Sequence, residues 1–196
     1  MISRKLGESE LEISPVVFGA WAIGGWYWGG SDDREAEHAI HASIDAGVYA
    51  FDTAPVYGFG HSERVLGRAL KGRRSEALIL TKVGLRWDSK EGKHFFDTPP
   101  GEGDKQIYRN LRPASIRAEV DASLQRLQTD YIDLIQCHWP DPSTEVEDTM
   151  QELASLVKQG KVRAVGVSNY DPSLLQRAQD SLGPIPLAST QPRYSL

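Results

Sequence analysis

Short apolar runs alternate along this chain with amphipathic segments, and this alternation constrains the fold more than any other feature. The apolar runs are six candidate strands: VVFGA (16–20), VYAF (48–51), ALILT (77–81), YIDLIQ (131–136), VRAVGV (162–167) and PLAST (186–190). The segments between them repeat apolar residues at helical spacing, for example at Ile116, Val120, Leu124 and Leu127. Alternating strands and helices predict parallel pairing, in either a doubly wound open sheet or a (β/α)8 barrel.

Residues at the segment ends support these boundaries. Asp171-Pro172 has the form of a helix N-cap followed by proline at the first helical position, and Gly160 stands where the preceding helix should end. RKL and LEI, on either side of GESE, predict a small hairpin ahead of the first core strand. The first turn after that strand, GAWAIGGWYWGG, lacks the G-x-G-x-x-G spacing of a dinucleotide-binding doubly wound sheet, which weakens that alternative.

Polar residues stand at the carboxyl ends of strand after strand. They are Asp52, Lys82, His138, the pair Ser168-Asn169, and Gln191. In a (β/α)8 barrel the carboxyl ends of all strands converge on one mouth, where active sites are built. Any one of these residues alone would be read as a cap, a loop former or a solvated side chain, but their joint placement predicts a barrel with a site at its mouth.

Asp52, Lys82 and His138, together with Tyr57 in the loop after Asp52, suit one kind of chemistry. A tyrosine hydroxyl has an ordinary pKa of about 10, and a nearby ammonium stabilises its phenolate, so we expect Lys82 to lower the pKa of Tyr57. A carboxylate beside the lysine would keep it charged and oriented. Such a tyrosine is matched to general acid catalysis at a carbonyl oxygen, which His138 would hydrogen-bond.

Composition excludes several other classes of protein. The net charge is -5 and no basic stripe is present, so a nucleic-acid partner has no electrostatic support. No apolar run approaches the roughly 20 residues of a membrane helix, and the amino terminus lacks the apolar stretch of a signal peptide. The single cysteine, Cys137, fits a reducing compartment. We therefore expect one cytoplasmic domain over residues 1–196, with no membrane partner and no metal site.

Four segments of the chain resemble the aldo-keto reductase family. They are GVYAFDTAPVYGFGHSERVLG (47–67), LILTKVG (78–84), TDYIDLIQCHWPD (129–141) and GKVRAVGVSNY (160–170). The resemblance implies a (β/α)8 TIM barrel and a nicotinamide cofactor, with NADP(H) the family's usual choice and NAD(H) the alternative. The catalytic tetrad that it implies matches Asp52, Tyr57, Lys82 and His138, with Tyr57 as the proton donor. The cofactor contacts that it implies are Gly19, Ala20, Trp21, Asp52, Ser168, Asn169 and Gln191.

The barrel of that family has eight strands, and this chain ends at QPRYSL, just after the sixth candidate strand. Two missing strands would leave open sheet edges and an uncovered core. We therefore expect a fragment of a longer product that is truncated at its carboxyl end. Another copy of the chain supplying the missing part is the alternative, which would make the protein a homo-oligomer.

Residues 84–112 are too long and too rich in Gly, Pro and charge for a simple connection, and we expect either a binding lid or a disordered insertion. Trp26, Trp87 and Trp139 are the candidate lining of a pocket for a small carbonyl substrate. Three functions remain open: reduction of small aldehydes, ketones or aldoses; a cofactor-binding, non-catalytic subunit; and a Schiff-base lyase that uses Lys82.

Overall fold

The structure is a computed structural model, and it describes residues 3–193. The strands and helices, in chain order, are β1 (Arg4–Lys5), β2 (Glu12–Ile13), β3 (Val17–Gly19), α1 (Asp33–Asp45), β4 (Ala50–Asp52), α2 (His61–Ala69), β5 (Leu78–Val83), β6 (Leu85–Arg86), β7 (Lys93–Asp97), β8 (Gln106–Arg109), α3 (Pro113–Leu127), β9 (Ile132–Cys137), α4 (Val146–Lys158), β10 (Val162–Ser168), α5 (Pro172–Leu182) and β11 (Leu187–Gln191).

Six of these strands form one parallel sheet in the order β3-β4-β5-β9-β10-β11. Each strand pairs with the next core strand along the chain, and a helix lies between the two strands of every such pair. This succession is the one that a (β/α)8 barrel requires, whereas a doubly wound sheet reverses its strand order. The curled sheet is half of such a barrel, so the six predicted core strands and the barrel class are confirmed.

The two faces of the curled sheet bury different parts of the core. Because successive side chains alternate between faces, Phe51, Ile79 and Ile135 point outward and pack against the helices. The inward face is closed at its amino-terminal end by a cluster of Leu11, Ala50, Leu80, Leu134, Ala164 and Ala188. Leu11 belongs to the hairpin, in which β1 pairs antiparallel with β2 as predicted. The hairpin therefore covers the floor of the half-barrel and leaves the carboxyl end open.

Helix α5 begins, and helix α4 ends, close to the residues that the sequence predicts. The Asp171 side chain accepts a hydrogen bond of 2.8 Å from the Leu174 amide at the start of α5, and α4 ends two residues before Gly160, whose φ is +76°. The longest helix, α3, has 15 residues. Among residues 3–193 no helix is both long and apolar enough to cross a bilayer.

The segment between Lys82 and α3 is ordered in an additional sheet. Strands β6, β8 and β7 pair antiparallel in that order, and β6 follows β5 directly after Gly84. Gly84, between these two strands, has a φ of +98°, which glycine adopts without strain. The structure thus differs from the disordered alternative: this segment is a small sheet that stands beside the mouth of the half-barrel.

Candidate active site

The strand register brings Asp52 and Lys82 to the same inward face. Asp52 pairs with Leu80 on the neighbouring strand β5, and Lys82 is the next inward position on that strand. The Lys82 ammonium donates hydrogen bonds of 2.6 Å to Asp52 Oδ1 and 2.9 Å to the Thr53 carbonyl oxygen. Only 2% of the Lys82 side chain is exposed, against 14% for Asp52. The two predicted residues therefore form a buried ion pair.

Tyr57 lies over this ion pair because of the loop that carries it. Gly58, with a φ of +61°, lets the loop pack backbone to backbone on Gly24, since a Cβ atom on Gly58 would lie 2.2 Å from the Gly24 carbonyl oxygen. The Lys82 Nζ atom lies 5.2 Å from the centroid of the Tyr57 ring. The His138 ring meets the Tyr57 ring edge-on, with centroids 5.7 Å apart. All four predicted tetrad residues thus meet at the open end of the half-barrel.

The electrostatics of Tyr57 differ from the expectation in sign. Burial raises the pKa of the Tyr57 phenol above its ordinary value, and this effect exceeds the lowering by the Lys82 charge and is reinforced by Asp52. Burial, aided by Lys82, also holds the pKa of His138 well below its ordinary value. At neutral pH the site therefore contains a protonated phenol and a neutral imidazole.

The second carboxylate oxygen of Asp52 is held by two amides. Gln191 Nε2 donates to Asp52 Oδ2 at 3.2 Å, and Gln136 Nε2 donates to the same atom at 3.4 Å. Sequence reasoning pointed to Gln191 and missed Gln136. The signal for Gln136 was present, because an amide two positions before His138 on the same strand must face the same interior.

Ser168, Asn169 and Gln191 lie together at the carboxyl ends of β10 and β11. Ser168 Oγ donates to the Gln191 carbonyl oxygen at 2.9 Å, and Asn169 Nδ2 donates to the His138 carbonyl oxygen at 3.0 Å. Asn169 has a φ of +61°, a left-handed conformation that asparagine tolerates better than most residues. These residues therefore tie the backbone of His138 to the neighbouring strands.

A cavity of about 290 Å³ opens above these groups. It is lined by Trp21, Trp26, Val56, Tyr57, Lys82, Leu85, Phe96, His138, Trp139, Ser168, Asn169 and Gln191. The lining includes two of the three tryptophans predicted for the substrate pocket. Trp87 lies outside the cavity, where its ring packs 5.9 Å from the Phe59 centroid.

Gly19 and Ala20 support the site from beneath instead of lining the cavity. Gly19 pairs with Asp52, and the Ala20 amide donates to the Asp52 carbonyl oxygen at 2.8 Å. Trp21, the next residue, stacks on Tyr57 with centroids 5.9 Å apart. Within the described residues, no group of three or more His, Cys, Asp or Glu side chains is placed to hold a metal ion.

Comparison with known proteins agrees with this geometry. A family model described as the aldo/keto reductase family matches residues 15–196. The chain is 39% identical over 193 residues to aldo-keto reductase YhdN of Bacillus subtilis, covering 97% of this chain and 53% of that protein. It is 42% identical over 174 residues to the NADH-specific methylglyoxal reductase of Escherichia coli, covering 85% of this chain and 51% of the relative.

A solved structure shows the same fold. The glycerol dehydrogenase of Gluconobacter oxydans superposes with a TM-score of 0.81 at 42% identity, over 97% of this chain and 54% of the other. The chain thus spans about half the length of the relatives that it matches. Both the family match and these relatives cover nearly all of its residues, and the chain therefore belongs to the aldo/keto reductase family.

Proposed function

We propose that the protein is an oxidoreductase that reduces small aldehydes, ketones or aldoses with a nicotinamide cofactor, and that Tyr57 is its general acid. The observation that carries this proposal is the meeting of a buried Asp52–Lys82 ion pair with Tyr57 and His138 at one cavity. These are the groups that a carbonyl oxygen needs if it is to become an alkoxide and then take up a proton.

Tyr57 would supply that proton. Because its pKa is raised, the phenol keeps its proton at neutral pH until an alkoxide, which is a much stronger base, develops beside it. The Lys82 ammonium then stabilises the phenolate that is left behind, and Asp52 holds the ammonium in place at 2.6 Å. Proton transfer in the reverse direction follows the same path, so the site also suits alcohol oxidation.

His138 would direct the carbonyl group. A neutral imidazole can donate one hydrogen bond from a ring N–H, and the lowered pKa of His138 keeps the ring in that form. The hydrogen bond from Asn169 to the His138 carbonyl oxygen anchors its backbone. Tyr57 and His138 would therefore both hydrogen-bond the carbonyl oxygen and leave the carbon open on one face.

The side chains at the mouth fit the nicotinamide end of a dinucleotide. Ser168, Asn169 and Gln191 offer hydroxyl and amide groups, which complement a carboxamide, and Trp21 offers a flat apolar surface. The bound cofactor would supply the hydride, and the protein residues would orient it and move the proton. We propose NADP(H) or NAD(H) for this role; the NADH-specific relative in Escherichia coli makes NADH a necessary part of any test.

The remaining lining of the cavity suits a compact substrate with an apolar side. Trp26, Leu85, Phe96 and Trp139 surround the space next to Tyr57, and the volume of about 290 Å³ is at the lower end of small-molecule sites. Aromatic walls offer flat apolar surfaces on which the apolar faces of sugars and of aryl groups can pack. Small aldehydes and aldoses are therefore the first substrates to test.

The test is turnover by the purified full-length protein. NADPH or NADH is mixed with methylglyoxal, glyceraldehyde, benzaldehyde or glucose, and the loss of the reduced-nicotinamide absorbance is followed. We expect turnover with at least one pair, and a fall of about 10²- to 10⁴-fold in Tyr57→Phe, which removes only the acidic hydroxyl. Tyr131→Phe is the matched control, because Tyr131 stacks under Arg74 just before the amino end of β9.

The outcomes separate the three candidate functions. Tight cofactor binding without turnover on any carbonyl would favour a non-catalytic subunit. Trapping of substrate on Lys82 by borohydride would favour the lyase. Full activity in Tyr57→Phe would refute the proposed proton donor.

A further inference from the structure

Gln136 is a buried amide that the proposed proton transfer does not use. Only 1% of this residue is exposed, and it lies inside the half-barrel in register with Lys82 on β5 and Gly166 on β10. Burying an amide without hydrogen bonds is unfavourable, so its partners indicate its role.

Both ends of the Gln136 amide are engaged. Ser189 Oγ donates to Gln136 Oε1 at 3.3 Å, and Gln136 Nε2 donates to Asp52 Oδ2 at 3.4 Å. Since the serine hydroxyl occupies the carbonyl end of the amide, the NH₂ end is directed to the carboxylate. The other oxygen of Asp52 faces the Lys82 ammonium. One chain of hydrogen bonds thus runs from Ser189 through Gln136 and Asp52 to Lys82.

Gly166 leaves the space that this series of hydrogen bonds needs. A Cβ atom at Gly166 would lie 2.3 Å from Ser189 Oγ and 3.1 Å from Gln136 Cγ. The first distance is shorter than any real contact, so a side chain at position 166 would displace the serine hydroxyl. Three neighbouring strands, β9, β10 and β11, are therefore shaped around this one amide.

We propose that Gln136 is a positioning residue of the reductase site, which acts through Asp52 on Lys82. This inference rests on the proposed function for its catalytic meaning. A hydrogen bond to one oxygen of a carboxylate fixes the rotation of the group. By holding Oδ2, Gln136 keeps Oδ1 directed at Lys82, so that the ammonium stays under Tyr57.

The first test is kinetic and uses Gln136→Leu, which keeps the approximate size of the side chain and removes its polar atoms. We expect kcat to fall about tenfold, with KM for the carbonyl substrate within about twofold. Gln151→Leu, on the exposed side of α4, is the control and should change neither quantity.

Ser189→Ala tests the chain of hydrogen bonds and protects against a folding defect in Gln136→Leu. Removal of one hydroxyl should lower kcat by a few fold in the wild-type background. In the Gln136→Leu background it should have no further effect, because the amide that it orients is gone. Additive losses in the double variant would overturn the proposal.

The second test needs no activity. The protein is labelled with ¹³C at the aspartate carboxyl carbons, the Asp52 signal is assigned with Asp52→Asn, and its chemical shift at pH 7 is measured by NMR. Gln136→Leu should move this signal, and Ser189→Ala should move it in the same direction by less, because both change the hydrogen bonding at Asp52 Oδ2. Wild-type protein without turnover would count against the proposed function, whereas an Asp52 signal that is unmoved in both variants would refute the role of Gln136.

Discussion

Glu119 is a carboxylate whose ionisation should oppose folding. It lies on α3 with 4% exposure, and its two oxygens accept hydrogen bonds of 3.0 and 3.2 Å from the Gly84 amide. Burial raises its pKa from 4.5 to about 8, against the opposing influence of Arg86, the Gly84 hydrogen bond and Arg126. The folded protein therefore keeps a proton on Glu119 that the unfolded chain releases above pH 4.5.

The sign and size of the effect of pH on stability follow from the difference between the pKa values of Glu119 in the folded and unfolded states. Between pH 4.5 and pH 8 the folded state binds more protons than the unfolded state, so stability is highest at low pH and falls as the pH rises through this window. With about 1.4 kcal/mol for each pKa unit, the contribution of Glu119 should lower the free energy of unfolding by about 2.5 kcal/mol from pH 5 to pH 7. In Glu119→Gln the amide oxygen can still accept the hydrogen bond from the Gly84 amide, and the side chain cannot ionise. The variant should therefore not lose stability in this way.

The assay is urea unfolding of wild type and Glu119→Gln at pH 5, 6 and 7, followed by circular dichroism. From pH 5 to pH 7 the free energy of unfolding of the variant should rise by about 2.5 kcal/mol relative to that of wild type, because every other titrating group is common to both proteins. Glu35→Gln is the control, since that side chain is exposed on α1, and its difference from wild type should change by less than about 0.5 kcal/mol. If the free energies of unfolding of Glu119→Gln and wild type differed by the same amount at all three pH values, the reasoning would be refuted.

Two further substitutions test the supports of the site. Glu63→Ala removes the buried partner of Arg126, whose Nε donates to Glu63 Oε2 at 2.6 Å, and should lower the free energy of unfolding in urea by about 3–5 kcal/mol. A loss below about 1 kcal/mol would show that the pair is dispensable. Gly84→Ala places a Cβ atom 2.5 Å from Leu111 Cδ2 on a residue with a φ of +98°, and should cost about 1–3 kcal/mol, seen as a lower melting temperature. An unchanged melting temperature would contradict the strain.

Several features of the site were predictable because they depend on short-range patterns. Strand positions follow from apolar runs, and a parallel barrel brings every carboxyl strand end to one mouth, so Asp52, Lys82 and His138 could be placed together without coordinates. The loop position of Tyr57, close after Asp52, was enough to bring it to the same mouth. The prediction failed on the direction in which the Tyr57 pKa moves, because the desolvation of the phenol depends on the packed loop around it.

Other features depended on contacts between distant segments. Gln136 meets Asp52 across 84 positions of the chain, and Glu119 meets Gly84 across 35. The inward direction of Gln136 could be predicted from its position two residues before His138, but its contact with Asp52 and the contact of Glu119 with Gly84 have no local sequence pattern. Trp87 was grouped with the cavity because it is aromatic and lies in the right segment, yet its ring packs against Phe59 and is not part of the cavity lining.

The sequence alone thus determined the parallel α/β plan and the hairpin, and it placed Asp52, Lys82 and His138 at one barrel mouth, since these features follow from local patterns along the strands, turns and helices. Tyr57 was added from its loop position after Asp52, and the resemblance to the family implied the four residues as a tetrad. The tertiary structure decided which groups are charged, which amides hold the carboxylate of Asp52, and which aromatic side chains reach the cavity. The physical reason is that ionisation, hydrogen bonding and packing depend on distances of a few ångströms between residues far apart in the chain, and only the folded backbone sets those distances.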